Sequence, residues 1–242
     1  MLTSALDRKL LLERFGTGEP AVLALHGWGR GRQDWAAVCE RMDALAPDLP
    51  GFGLSPPPPE AWGAEQYAHF VRPVLAEMDR PVLVGHSFGG RLAVHLAADA
   101  GDQVRGVVLT GVPLIRRKTA GRPRLAFRVG RALHRRRLVS DARMEDLRRR
   151  YGSADYRAAE GVMRQVLVRV VNESYEEQLR RVRCPVRLVW GEHDSSVPVE
   201  VARQAEALLP DASLRVVPGA GHLLDPRLAA EVRAATVELL GR

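Results

Sequence analysis

Cysteine is nearly absent from this 242-residue chain, which holds only Cys39 and Cys184. Neither lies in a C-x-x-C pair or near a histidine cluster, so a disulfide framework and a metal site are both unexpected. A reduced, cytoplasmic setting is the simplest expectation. Long apolar runs are also missing. Asp7, Arg8, Lys9, Glu13 and Arg14 interrupt the first fifteen residues, which argues against a signal-peptide core. No other stretch approaches the ~20 apolar residues of a membrane span. There is no internal repeat, and the only low-complexity tract is the proline run 56–59.

What remains is a globular composition, 46% hydrophobic and 27% charged, in a chain of ordinary length for one compact domain. The net charge of +7 is unevenly spread. Residues 116–157 carry 15 Lys/Arg against 4 Asp/Glu, and the rest of the chain is mildly acidic. The basicity belongs to one segment and calls for its own explanation.

Short apolar runs at Leu10–Phe15, Ala21–Leu25, Leu45–Asp48, Pro81–Gly85, Val104–Thr110, Val186–Trp190 and Leu214–Val217 predict strands. The inner runs have the continuous apolar character of strands buried on both faces. Between them, Asp34–Met42, Glu65–Met78, Phe88–Asp99, Val199–Leu209 and Pro226–Leu240 predict helices. Pro73 is expected to kink or break the second of these. Asp225 before Pro226 is a helix-start signal. Such alternation implies an α/β fold, a mainly parallel sheet with helices on both faces. Between Pro113 and Arg183 only helical periodicity is found, so that stretch reads as an insertion.

Gly85-His86-Ser87-Phe88-Gly89 matches G-x-S-x-G, directly after a predicted strand and before a predicted helix, the context that makes the motif a nucleophile turn. On so tight a turn, side chains at 85 and 89 would collide, and Gly90 lets the helix pack closely. A serine needs a base, and the base an orienting acid. His222, in a Gly-Ala-Gly-His loop after the last strand, is the candidate base. Asp194, directly after the strand at 186–190, is the favoured acid, with Glu192 and Asp211 as competitors. An oxyanion hole needs two backbone donors. The amide of Phe88 is one candidate, and that of Trp28, in His26-Gly27-Trp28-Gly29, is the other.

LALHGWG, APDLPGFGLS, VLVGHSFGG, LVWGEHD and VPGAGH occur in an order and spacing that resemble the α/β-hydrolase superfamily. The resemblance implies the α/β-hydrolase fold and a carboxylic ester hydrolase working through an acyl-enzyme, with Ser87, Asp194 and His222 as triad. It implies Trp28 and Phe88 as oxyanion donors, and His26 and Asp48 as structural residues. No cofactor or metal is implied. Serine as nucleophile argues against the epoxide hydrolases and dehalogenases of the superfamily. GHSFGG departs from the GGSWGG of prolyl aminopeptidases. Leu223 after His222 departs from the aromatic usual in carbon–carbon bond hydrolases.

The resemblance further implies a core of residues 1–113 and 182–242, with a helical, Arg-rich cap at 114–181. In the cap, Ala159, Val162, Met163, Val166, Leu167 and Val170 form one helical stripe. Met163, Val166 and Leu167 are candidates either to line an acyl pocket or to dock the cap. Arg124, Arg128, Arg131 and Arg135 share another face. Arg124 and Arg128 are candidate contacts for an anionic substrate, the alternative being a solvated face. HGWG and DLPGFG are similar to the esterases that cleave the methyl ester of pimeloyl-acyl-carrier-protein, whose partner is acidic. Ser87-Phe88-Gly89-Gly90-Arg91 is similar to a menaquinone-pathway lyase acting on an anionic substrate. The partner expected is therefore a small-molecule ester, with an anionic or carrier-bound acyl compound as the alternative. No nucleic acid is expected, since no recognition motif accompanies the charge. A non-catalytic sensor on the same fold is the alternative from another class, and such proteins often lack a triad member.

Overall fold

The structure, a computed structural model, describes residues 1–7, 9–116, 134, 139–140, 142–144 and 154–241. Eight strands, β1 (Leu2–Ala5), β2 (Leu10–Phe15), β3 (Val22–Leu25), β4 (Ala44–Asp48), β5 (Val82–His86), β6 (Gly106–Thr110), β7 (Val186–Gly191) and β8 (Ala212–Val217), make one sheet. Their order is β1-β2-β4-β3-β5-β6-β7-β8. The β1–β2 and β2–β4 pairs are antiparallel and the rest parallel. The inner strands place alternate residues in two apolar layers. Leu23, Leu25, Leu83, Val107, Leu109 and Leu188 face one layer, while Val22, Ala24, Val82, Val84, Val108 and Val189 face the other. Burial on both faces is why these runs carry no polar alternation.

Helices numbered over the described residues are α1 (Ala36–Cys39), α2 (Ala64–Ala76), α3 (Phe88–Ala100), α4 (Ala154–Ala158), α5 (Gly161–Val170), α6 (Glu176–Arg181), α7 (Val199–Glu206) and α8 (Pro226–Leu240). Residues of α2, α3, α5, α6 and α7 fill the first layer. Residues of α1 and α8 fill the second. No strand lies between β6 and β7 among the described residues. No helix among them is long and apolar enough to cross a membrane. Arg124, Arg128, Arg131 and Arg135 lie outside the described residues.

Three expectations are corrected. The chain opens with an edge strand, β1, whose half-exposed LTSA alternation is too weak a pattern to read. The helix expected over Asp34–Met42 is a 3₁₀ turn, Arg32–Trp35, followed by α1 alone. It stops because Glu40 takes an extended ψ of 123° and Arg41 a left-handed φ of 59°. The helix expected to kink or break at Pro73 does not break there, running from Ala64 to Ala76. Pro73 and His69 both face solvent, so the carbonyl that Pro73 leaves without a donor can bond water.

Strand order reverses at β3. The chain passes from β3 to β4 on one side, then to β5 on the other. In open parallel sheets such a reversal opens a crevice beyond the carboxyl ends of the strands. Leu25 pairs with Gly85 and His86 with Thr110, so the segments after β3, β5 and β6 meet at that edge.

Candidate active site

Ser87 stands between β5 and α3 at φ 48° and ψ −107°. A non-glycine residue there costs about 1–3 kcal/mol, tolerated where the surroundings dictate it. Here the Ser87 amide donates to the Thr110 carbonyl (3.0 Å) and the Gly89 amide to that of His26 (3.0 Å). The expected collision takes a different form. A Cβ on Gly85 would lie 2.4 Å from Gly90 Cα, and one on Gly89 would lie 2.1 Å from the Leu25 carbonyl oxygen. Gly85 thus needs Gly90, and Gly89 seats α3 against the end of β3. A Cβ on Gly90 would in turn meet Val112 at 2.2 Å.

Among the described residues the amides of Trp28 and Phe88 donate no hydrogen bond. They follow β3 and β5 across the paired ends of those strands. The Trp28 and Phe88 rings pack edge to face, 5.6 Å between centroids. The N-terminal end of α3 adds its positive partial charge at the same point.

Asp194 is 4% exposed and divides its two oxygens. Oδ1 accepts from the Ser196 and Val197 amides (2.9 and 2.7 Å). Oδ2 accepts from His222 Nδ1–H at 2.8 Å. The loop is closed by the Trp190 indole N–H, which donates to the Val197 carbonyl (2.7 Å). Glu192 accepts from the Gly219 amide instead (3.0 Å), and Asp211 is exposed beside Arg187. With Nδ1 donating to a carboxylate, Nε2 of His222 is left as the basic nitrogen. The His222 ring lies 5.0 Å from the ring of His86, the residue before Ser87. The Ser87 hydroxyl makes no hydrogen bond among the described residues, and nucleophile–base contacts often tighten only on substrate binding.

Two residues that sequence reasoning did not single out also shape the site. A Cβ on Gly111, at φ +60°, would lie 2.9 Å from His222 Nδ1 and 3.3 Å from Asp194 Oδ2, so glycine leaves room for the His–Asp pair. Its signal in the sequence is a glycine directly after a buried strand. The other is His86, whose Nε2 lies 2.9 Å from the His222 carbonyl oxygen.

His26 and Asp48 are structural, in agreement with the resemblance. His26 Nε2 accepts from the Leu49 amide (2.9 Å) and its Nδ1 donates to the Gly27 carbonyl (2.7 Å). Burial pushes its pKa down, keeping the ring neutral. Asp48 is fully buried and accepts from the Arg32 and Leu54 amides (both 3.0 Å) and the Arg32 guanidinium. It joins the loops after β3 and β4. Asp48→Ala should therefore cost about 3 kcal/mol, because it leaves two amides without their acceptor and a largely buried guanidinium with Glu13, at 3.5 Å, as its remaining carboxylate. Urea unfolding would register this as a lower midpoint at unchanged slope. Both cysteines are free and buried, and burial pushes their thiols up, to about 12 for Cys39 and about 11 for Cys184.

The α5 stripe divides. Val166 and Leu167 are buried at 0% and 6% exposure, and Val166 belongs to the layer that holds Leu83 and Phe88. Met163 is only partly buried. It lies against Gly51, where a Cβ would meet Sδ at 2.2 Å, and 3.8 Å from the Tyr67 hydroxyl. Tyr67 packs edge to face on Phe88 at 5.0 Å. Arg91 is 7% exposed. Its Nη1 donates to the Val170 carbonyl at the end of α5, and its guanidinium stands 5.9 Å from the Tyr175 ring centroid. That contact ties α5 to α3.

Comparisons with known proteins agree with this architecture. A profile of the Alpha/beta hydrolase family matches residues 22–236. A pimeloyl-[acyl-carrier protein] methyl ester esterase of Aromatoleum aromaticum is 31% identical over 235 residues, covering 84% of this chain and 91% of its own. A 2-hydroxy-6-oxononadienedioate/2-hydroxy-6-oxononatrienedioate hydrolase of Cupriavidus pinatubonensis is 25% identical over 263 residues, covering 93% of this chain and 88% of its own. Among solved structures, a thermophilic esterase from Thermogutta terrifontis superposes with a TM-score of 0.67 at 26% identity, covering 96% of this chain and 93% of that one.

Proposed function

The chain belongs to the alpha/beta hydrolase family, and we propose that within it this protein is a serine hydrolase cleaving carboxylic esters through an acyl-enzyme. The observation that carries the reading is the His222 Nδ1–H bond to a buried Asp194, beside a serine held at positive φ on a strand-to-helix turn. Ser87 Oγ attacks the ester carbonyl while His222 Nε2 takes its proton. Asp194 stabilises the imidazolium that forms. The amides of Trp28 and Phe88 hold the developing oxyanion. His222 then returns the proton to the leaving alcohol, and water releases the acid by the same steps in reverse. The sensor alternative is disfavoured by the presence of all three residue types, Ser87, Asp194 and His222, in the sequence.

Residues 114–181 are proposed as a cap over this site. Met163 would line the crevice, with Val166 and Leu167 as docking residues. Arg124 and Arg128 would be its contacts to an anionic acyl group. A second reading, an anionic or carrier-bound acyl ester as substrate, is favoured by the 31% identity to the carrier-protein ester esterase and the basic segment 116–157.

The test is hydrolysis of nitrophenyl esters, neutral against carboxylate-bearing, with Ser87→Ala as blank. The ester-hydrolase reading predicts turnover that the blank lacks. Comparable rates on both ester types would leave the basic segment as surface charge. A preference of about tenfold or more for the carboxylate-bearing esters, on the order of 1.4 kcal/mol, would select the second reading. Folded protein without turnover of any ester would overturn the assignment.

A further inference from the structure

We propose that His86 is a positioning residue for the base, holding the main chain of His222 so that its imidazole keeps both Asp194 and Ser87 in reach. This rests on the reading of Ser87, His222 and Asp194 as the catalytic set. His86 is 2% exposed, and its Nε2 lies 2.9 Å from the carbonyl oxygen of His222. A carbonyl can only accept, so Nε2 carries the hydrogen and donates. Nδ1 is then the lone-pair nitrogen. It is buried with no hydrogen-bond partner among the described residues, pressed on Gly27, where a Cβ would lie 2.7 Å away.

A buried imidazole with one nitrogen unsatisfied is a poor way to fill apolar space. Leucine would fill it without that cost. What leucine cannot supply is the hydrogen bond across 136 positions to the loop of the base. The loop is held upstream, where the Gly219 amide donates to Glu192 (3.0 Å) and the Ala220 carbonyl accepts from the His193 amide (2.8 Å), while the carbonyl of His222 itself has His86 as its donor. The loop contains Gly219 at φ +70° and Gly221, around which a Cβ would meet nothing within 4 Å, and Leu223 is 54% exposed. His222 thus has two anchors, its side chain on Asp194 and its main chain on His86. Two fixed points determine where Nε2 points, and one would leave the ring free to swing about Nδ1. Burial, with the neighbouring His222 adding to it, pushes the His86 pKa down to about 4. His86 therefore stays neutral, with one tautomer, wherever His222 can act as a base.

The test uses three variants. His86→Gln keeps an amide N–H near the Nε2 position. His86→Asn is polar but too short to reach the His222 carbonyl, and His86→Leu fills the space without a donor. Rates are counted per phosphonate-titrated site, so a misfolded fraction does not enter. The Leu and Asn variants should lose about 10–100-fold in kcat with KM within about threefold, as expected when a buried hydrogen bond that orients a catalytic group is removed. Gln should recover most of the loss. If Leu does not fold, the Gln and Asn pair carries the comparison. Unchanged kcat in Asn, Gln as slow as Asn, or a loss confined to KM would overturn the proposal. So would a crystal structure of His86→Asn in which neither His222 Nε2 nor the main chain of its loop has moved. That arm stands without any known substrate. Failure of the catalytic reading itself would look different, as wild-type protein that does not label at Ser87.

Discussion

Asp194→Asn should lower kcat for ester hydrolysis by about 10,000-fold while leaving the protein folded. The two oxygens of Asp194 explain both halves of that expectation. Oδ1 holds the loop through the Ser196 and Val197 amides, and an asparagine carbonyl can do the same. Oδ2 accepts from His222 Nδ1–H, where asparagine would present an N–H instead. Nδ1 would then have to accept, Nε2 would carry the proton, and the base would face Ser87 with no lone pair. Steady-state rates with a nitrophenyl ester, set beside circular dichroism and a thermal melt, separate the two effects. A matching fall in melting temperature, or a rate within tenfold of wild type, would contradict the assigned division.

Gly89→Ala should be among the most destabilising single-methyl additions to the chain. The added carbon would sit 2.1 Å from the Leu25 carbonyl oxygen and 2.7 Å from that of His26. Both are backbone atoms of a central strand and its end, so neither can turn aside. Relief requires α3 to move off β3, which also breaks the Gly89 amide bond to His26. A cost of about 3–4 kcal/mol is expected for such overpacking, a fall of roughly 10 °C in melting temperature for a chain of this size. Activity per folded molecule should fall too, because the same movement parts the Trp28 and Phe88 amides. Gly101→Ala is the control. Gly101 has φ +55° but nothing within 4 Å of a Cβ, so only backbone strain is added, about 1–3 kcal/mol, with no clash to relieve. Equal melting temperatures for the two variants would mean that α3 does not sit on β3 as described.

The parts of the molecule legible in the sequence are those in which one local pattern has one cause. Val22–Leu25 and Val82–His86 read as inner strands because burial on both faces removes polar alternation. Pro226–Leu240 reads to the residue because Asp225 caps it, accepting from the Arg227 and Leu228 amides. The G-x-S-x-G turn announces Ser87 because the clash that Gly85 and Gly90 avoid is local, although Gly89 and Gly90 also make room for Leu25 and Val112. The acid was harder. Its place directly after the strand favours Asp194 over Glu192 and Asp211 in the sequence, but which carboxylate the loop turns inward is a matter of the Trp190–Val197 bond. The α5 stripe shows its limits in the same way. Periodicity identifies an apolar face but not what covers it, and Val166 and Met163 share the stripe yet meet different surroundings. His86 occupies the unspecified second position of the motif, and its partner is 136 residues away, so nothing nearby in the chain marks it.

Ser87 is proposed here as a nucleophile activated by His222 and Asp194. The most direct test is reaction of the whole chain with a fluorophosphonate, followed by intact mass and peptide mapping. One adduct per chain is expected, located on Ser87, absent from Ser87→Ala and formed much more slowly in Asp194→Asn. Folded wild-type protein that takes up no phosphonate, or an adduct that persists in Ser87→Ala, would contradict it.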